Sequence, residues 1–344
     1  MLPKTAEHRT WRIGVLAYPG CMGTQLFGMA ELLRLALDLA EARRPGAHPL
    51  LDVQLLGLRG RSVTIAGGTV ISTRAPRGRY DALIVPGMEI NHRVDWDRAL
   101  APLAPECAYV RRAYAAGTPV ASVCVGAFLL GEAGLLQGRR ATTAWLFTQV
   151  LGQRYPGTTV DGSAMLLDDA GVVTTGAVSS AFDLAIHLVK HILGADIATA
   201  TARVSLLPAD RQSQAPFVDA RLLPPQPLPA FSQQVRQWLH SRLAQPFQLQ
   251  ALAAAFLVSA STLLRRVKAE TGQTPLSLLQ AARVEHAKTL LHGSTKSLAQ
   301  ITQAVGYTDV ASFSRLFLRL VGESPAQYRP VSYTHLRAHE TRHD

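Results

Sequence analysis

Cys124 stands where an apolar run, residues 119–124 (PVASVC), gives way to a helix-like segment that begins VGAFLL. A thiol at such a strand-to-helix turn sits beside unpaired N–H groups and the positive end of the helix, which favours the nucleophilic thiolate. Read instead as a small buried hydrophobe, the same residue needs no such environment, and cysteine is among the most often buried side chains. The structural reading is the preferred one. A second chemistry occupies the last third of the chain. One helical face there presents Ser261, Thr262, Arg265, Arg266 and Lys268, and about 50 residues later another presents Ser312, Ser314, Arg315 and Arg319. Short hydroxyls at a helix start with arginines further along suit the DNA major groove, where arginine pairs bidentately with guanine. For a single amphipathic helix a solvated charged face is the commoner explanation. Two copies in register shift that balance.

The repeat extends beyond these faces. ETGQTPLSLL (270–279) recurs as LVGESPAQYR (320–329), aligning Gly272, Thr274 and Pro275 with Gly322, Ser324 and Pro325. In the first copy a helix over 249–256 precedes one capped by Ser259, with Ala260, Leu263, Leu264 and Val267 inward. In the second, 297–305 precedes a turn at Gly306 and a helix capped by Asp309, with Val310, Phe313, Phe317 and Leu320 inward. Ser and Asp at these positions accept from N–H groups that no helical carbonyl reaches. The turn that is Gly306 in one copy is Leu257 in the other, where a leucine must avoid positive φ or accept strain. Between the copies, residues 276–291 read as a connecting helix with Arg283 and Lys288 available to phosphates.

Upstream, strand candidates at 12–18, 52–58, 81–87, 119–124 and 171–177 alternate with helical periods over 24–41, 95–116, 144–155 and 179–193. That alternation predicts a flavodoxin-like, doubly wound α/β domain over 11–202, a parallel sheet covered on both faces with ligands at the carboxyl ends of its strands. Residues 203–230, with six prolines and no period, read as a linker to an all-helical double helix-turn-helix domain over 231–329. A length of 344 residues suits two domains, and 48% apolar with 17% charged residues suits packed cores rather than disorder. The net charge of +11 is concentrated late, residues 228–330 holding 11 Lys/Arg against 4 Asp/Glu. Such an excess implies a polyanionic partner. Cys21, Cys107 and Cys124 have no paired spacing, which argues against a disulfide framework and a zinc site. The N-terminus lacks a signal-peptide core, and the apolar stretch 120–136 is interrupted by Gly126, Gly131 and Glu132. The expectation is a cytoplasmic protein without a membrane span.

Residues 231–329 resemble the AraC/XylS-type DNA-binding domain, two helix-turn-helix units about a long connecting helix, most specifically over AQITQAVGYTDVASFSRLFLRLVGESPAQYR (299–329). Residues 11–200 resemble the PfpI-type, glutamine-amidotransferase-like domain through VPGM (85–88), the run 120–136 and RRATTAWLF (139–147). Together they are similar to the GlxA-type regulators, which implies a sequence-specific DNA-binding transcriptional regulator whose PfpI-like domain senses a small metabolite. The resemblance also implies a site. Enzymes on this fold bring an acid beside the cysteine from the loop after the first strand, and PGCMGTQLFGMAE (19–31) puts Gln25 there. PfpI-type proteases have histidine directly after the cysteine, where this chain has Val125, and the family's Thr-Thr-His reads Thr142, Thr143, Ala144. Glutamine takes no proton, so acyl chemistry loses its activation and no catalytic residue is expected. His92, on a loop the sequence does not place, reads as a surface histidine.

What the resemblance leaves is a binding surface of Gln25, Gly87, Met88, Cys124, Val125, Gly126, Ser179 and Ser180 for a small carboxylate or amide, helix starts favouring anionic groups. Both serines read equally as helix caps. No cofactor and no metal is implied. The rival readings are a PfpI-like amidase or glyoxalase using Cys124, and a thiol redox sensor. The expected partners are double-stranded DNA and an unidentified small-molecule effector, with a homodimer left open. Residues 330–344 (PVSYTHLRAHETRHD) lie past the family's end signature and resemble read-through from a cloning adaptor, so His335, His339 and His343 carry no expected function.

Overall fold

The computed structural model describes residues 9–90, 94–208, 211–219, 222–223 and 229–329; His92 and the segment 330–344 lie outside them. The chain divides into two compact units, Met1–Gln214 and Ala215–Asp344.

In chain order the strands of the first unit are β1 (Thr10–Ala17), β2 (Leu50–Gly57), β3 (Ser62–Thr64), β4 (Val70–Ser72), β5 (Ala82–Val85), β6 (Val120–Ser122), β7 (Arg140–Ala141), β8 (Thr159–Val160), β9 (Leu166–Asp169) and β10 (Val172–Thr175). The main sheet runs β2, β1, β5, β6, β10, β9. Its neighbours are parallel except for the antiparallel edge β9. Every residue of β5 and of β6 is buried, as strands covered on both faces must be. Nothing in LLDD predicts β9, since two leucines followed by two carboxylates show no alternation.

The helices are α1 (Gly23–Arg43), α2 (Trp96–Leu100), α3 (Ala104–Ala115), α4 (Gly126–Glu132), α5 (Thr148–Arg154), α6 (Ser180–Ile192) and α7 (Ala195–Val204). The helix expected over 95–116 is broken into α2, a 3-10 turn and α3. Pro102 and Pro105 each remove an N–H there and permit only a helix start. From β1 the chain crosses to β2 on one side and then to β5 on the other. This reversal opens a crevice at the carboxyl ends of β1 and β5. Within the segment expected as linker, the chain pairs against 163–165 through a bridge between Ala164 and Ser213, so its first part belongs to the sheet unit.

The second unit holds α8 (Ala230–His240), α9 (Leu249–Ala255), α10 (Ala260–Thr271), α11 (Pro275–Gly293), α12 (Leu298–Ala304), α13 (Val310–Val321) and α14 (Pro325–Tyr328). Two apolar clusters are built here, one around Val235, Leu252, Leu263 and Val267 and one around Ile301, Phe313, Phe317 and Val321. Helix α11 contributes Leu279 to the first and Val284, Ala287 and Leu291 to the second, so one helix supports both units. Leu264 and Leu320, expected inward, are 36% and 43% exposed. On α13 the buried set is Phe313, Leu316, Phe317 and Val321, a spacing of i, i+3, i+4 and i+8 that leaves Leu320 on the rim.

Arg283 and Lys288 are likewise not at the surface. Arg283 is 5% exposed and donates to the carbonyls of Leu243 (2.8 Å) and Gln245, while Lys288, 6% exposed, donates to the Val218 carbonyl and to Glu285 (3.1 Å). Carbonyls supplied by loops distant in sequence solvate these cations, which removes them from the phosphate contacts expected of them.

Candidate functional site

The crevice is assembled from the loops after β1, β5 and β6. Cys124 follows β6 in a left-handed backbone conformation, φ 56°, and Val125 caps α4. A non-glycine residue there stores strain. Three contacts hold the turn: Val123 N–H donates to the Val85 carbonyl (3.0 Å), Gly126 N–H to the Val123 carbonyl (2.9 Å), and the Thr143 hydroxyl to the Cys124 carbonyl (2.8 Å). Gly126 is obligatory, because a Cβ would lie 2.4 Å from the Val85 carbonyl oxygen and 2.7 Å from that of Pro86.

Gln25, fully buried at the start of α1, accepts a hydrogen bond from the Gly87 N–H at 2.6 Å. A Cβ on Gly87 would lie 3.2 Å from Cys124 Cβ and 3.3 Å from Gln25 Oε1, so Gln25, Gly87 and Cys124 converge. Met88 is 6% exposed and bridges to Cys21. The sequence-predicted serines are differently placed. Ser180 is fully buried, its hydroxyl paired with Thr175 Oγ1 (2.8 Å) and the Gly176 carbonyl (2.9 Å), and so offers no ligand-facing group. Ser179 occupies the cap position of α6 without a side-chain cap; its hydroxyl and carbonyl accept from Arg211 at 3.1 and 3.2 Å.

The Cys124 thiol is held in a buried setting. Burial pushes the Cys124 pKa up to about 11, opposed by the Val125 backbone N–H. That direction favours the neutral thiol. Gln25, which stands where the sequence resemblance expects an acid, and Ala144, in place of a histidine, do not move protons. A separate hollow of about 470 Å³ lies among α2, α3, α4 and the end of α5, lined by Asp97, Cys107, Arg111, Glu132 and Arg154. Arg154 pairs there with Asp97 (2.7 Å) and Glu132 (2.9 Å), so its charges compensate one another.

One partner of the crevice carries no signal in the sequence. Gln214, from the proline-rich stretch, is 1% exposed and its carboxamide lies among Thr142, Thr143, Trp145, Ala164 and Ala177.

On the helical unit, Ser259 caps α10 by accepting from Thr262 N–H (3.1 Å), and Asp309 caps α13 by accepting from Ala311 (3.1 Å) and Ser312 (2.7 Å). Ser261, Arg265 and Lys268 are exposed on α10 with Thr262 half-buried; Arg315 and Arg319 are exposed on α13 with Ser312 and Ser314 half-buried. Arg266 differs from its neighbours: it pairs with Glu270 (2.8 Å) and lies over the Phe231 ring at 3.9 Å, which makes it a packing residue between α10 and α8. Arg315 donates to the Ser312 hydroxyl (3.2 Å) one turn back, which orders it on the outer face.

Residues 51–191 match the DJ-1/PfpI family and residues 252–330 match a helix-turn-helix domain. The chain is 42% identical over 95 residues to the MmsAB operon regulatory protein of Pseudomonas aeruginosa, covering 28% of this chain and 30% of that one. Over 223 residues it is 27% identical to the HTH-type transcriptional regulator GlxA of Rhizobium meliloti, covering 64% of this chain and 68% of that one. The chain matches a GlxA-type regulator in its parts. Along the chain a DJ-1/PfpI domain with a mostly parallel sheet is followed by an AraC-type helix-turn-helix domain. The chain is also 34% identical over 90 residues to the isonitrile hydratase of Pseudomonas putida, 26% of this chain and 38% of that one. Among the described residues no helix is long and apolar enough to cross a membrane.

Proposed function

We propose that this GlxA-type chain is a transcriptional regulator whose first unit binds a small metabolite without transforming it and whose second unit grips two successive major-groove segments of duplex DNA. The observation that carries this reading is the repeat of capped helices α10 and α13, each with arginine outward and each ended by a glycine. Arg265, Lys268, Arg315 and Arg319 contact DNA, with Ser261, Thr262, Ser312 and Ser314 near the helix starts. Gln25, Gly87, Met88, Cys124, Val125 and Gly126 bound the effector crevice, with Ser179 at its margin. A DNA partner places the protein in the cytoplasm, and a homodimer would double the number of grooves engaged.

Binding titrations of the full chain test this. Four basic contacts predict a slope of log affinity against log salt of about −3.6. A flat salt dependence would remove DNA as the partner.

The second reading, catalysis at Cys124, is favoured by the strained turn and by the kinship with isonitrile hydratase. It predicts turnover of an isonitrile, amide or methylglyoxal that disappears in Cys124→Ala. Our reading predicts no turnover in either protein.

A further inference from the structure

Gln214 is held like a ligand. Its Nε2 donates to the carbonyls of Thr143 (2.8 Å) and Ala164 (3.0 Å) and to the Thr142 hydroxyl (3.2 Å). Its Oε1 accepts from the backbone N–H groups of Trp145 and Ala177, both at 3.2 Å. Backbone donors face the oxygen and backbone acceptors face the nitrogen, so the amide can sit only one way round. A carboxylate in the same place would turn an oxygen toward two carbonyl oxygens. Gly176 makes the room, since a Cβ there would lie 2.5 Å from Gln214 Cδ. The pocket adjoins the crevice through Thr143, whose carbonyl takes the Gln214 amide and whose hydroxyl holds the Cys124 carbonyl.

The segment that delivers this amide is fixed chiefly by polar contacts. Arg211 pairs with Asp183 and with Ser179, Gln214 N–H donates to the Ser163 carbonyl (2.8 Å), and Met165 N–H donates to that of Gln212 (3.2 Å). Phe217, next along, remains 57% exposed. Exchanging one carboxamide for another conserves the hydrogen bonds of the pocket. The same strap continues into the second unit, where the Val218 carbonyl accepts from the buried Lys288 ammonium on α11, the helix that carries both helix-turn-helix units.

We propose that this pocket is a binding site for small primary carboxamides, occupied in cis by Gln214, and that a free carboxamide entering it releases the strap 211–218 and so alters DNA binding. This rests on the reading of the first unit as a sensor and the second as a DNA-binding domain. A tethered amide acts at about millimolar effective concentration, so a natural effector gains its advantage from further contacts with the adjoining crevice.

The test uses the full chain, a duplex selected from random sequence by the unaltered protein, and propionamide as probe with sodium propionate as control. Gln214→Ala empties the site, and it should lower the melting temperature by several degrees and change affinity for the selected duplex by about fivefold or more. Propionamide at tens of millimolar should restore the melting temperature of Gln214→Ala, and propionate should not. Gly176→Ala, which crowds Gln214 out without deleting it, should change DNA affinity in the same direction and gain nothing from propionamide. Equal rescue by propionate, or no rescue of a folded Gln214→Ala chain, overturns the amide site. Unchanged DNA affinity in both variants overturns the strap. Failure of the unaltered chain to select any duplex would instead strike the DNA-binding reading beneath the proposal.

Discussion

The two helix-turn-helix units use one plan with two different turns. Helices α10 and α13 both end at a glycine in the left-handed region, Gly272 at φ 71° and Gly322 at φ 91°, and both are followed by a hydroxyl cap and a proline. Their turns share a positive φ, 53° at Leu257 and 79° at Gly306, yet differ in what surrounds them. A Cβ on Gly306 would lie 2.6 Å from the Leu243 carbonyl oxygen and 2.7 Å from the Arg283 guanidinium. Leu257 is 94% exposed, so its side chain meets only solvent. A left-handed turn therefore tolerates leucine where the Cβ direction is open and requires glycine where backbone packs against it. Conformational strain is the smaller of the two penalties.

That ranking is open to direct attack. Gly306→Ala should destabilise the second unit by about 2–4 kcal/mol, combining left-handed strain with displacement of the carbonyl and guanidinium that pack there. Denaturant titration measures it. A loss below about 1 kcal/mol would mean that the crowding relaxes freely and that the two turns are equivalent.

On DNA the comparison turns on the arginines. Arg315, already ordered by Ser312, should contribute about 1–3 kcal/mol if it meets a base edge, with preference relaxed at one half of the site only. Arg265→Ala should have a smaller effect, because the first unit presents its arginine behind a strained turn and its neighbour Arg266 is engaged with Glu270 and Phe231. Footprints of the two variants on one duplex would show each losing a different element. Loss from neither element would sink the two-groove arrangement.

How much of this could be read beforehand depends on whether the cause is local. The caps at Ser259 and Asp309, the terminal glycines and the continuous apolar runs of the central strands announce themselves, since each is set by residues within a turn or two. The rim positions of Leu264 and Leu320 are harder, because a small rotation of the apolar face decides them. Arg283 and Lys288 mislead for a different reason: an outward-looking cation on a helix becomes a buried one when carbonyls from residues 243, 245 and 218 arrive to solvate it. Gln214 is the extreme case. One polar residue among prolines has no period, and its five partners lie on three separate segments of the first unit. At Cys124 the sequence shows which residues stand nearby in the family pattern, Gln25, Val125 and Ala144, whereas the raised pKa depends on burial that sequence does not report.

The strained turn itself offers a milder test. Leu257→Gly removes about 1 kcal/mol or more of left-handed strain and returns somewhat less than 1 kcal/mol as added freedom of the unfolded chain. The net expectation is stabilisation by about 0.5 kcal/mol, opposite in sign to Gly306→Ala. Destabilisation by Leu257→Gly would indicate that the exposed leucine makes a contact that its open surroundings do not suggest.

The smallest difference between the units is their response to acid. Helix α13 starts on the Asp309 carboxylate, whose pKa is held below its ordinary 3.8 first by the Ser312 hydroxyl and then by the Ser312 and Ala311 N–H groups. Helix α10 starts on the Ser259 hydroxyl, which does not titrate in this range. A carboxylate with a lowered folded-state pKa stabilises fully above its unfolded value, and the contribution fades as pH falls from there through the folded value. Amide protection at Ala311 and Ser312, corrected for intrinsic exchange, should therefore hold down to about pH 4 and then weaken. Protection of Thr262 N–H should not change over the same window. Global melting would blur the contrast, because Glu270, which holds Ser232 and Arg266, also has a lowered pKa and loosens α8 from α10 in acid. Asp309→Asn keeps an acceptor at the cap without the titration, so its Ser312 amide should lose the acid response; an unchanged response in that variant would place the sensitivity elsewhere in the unit.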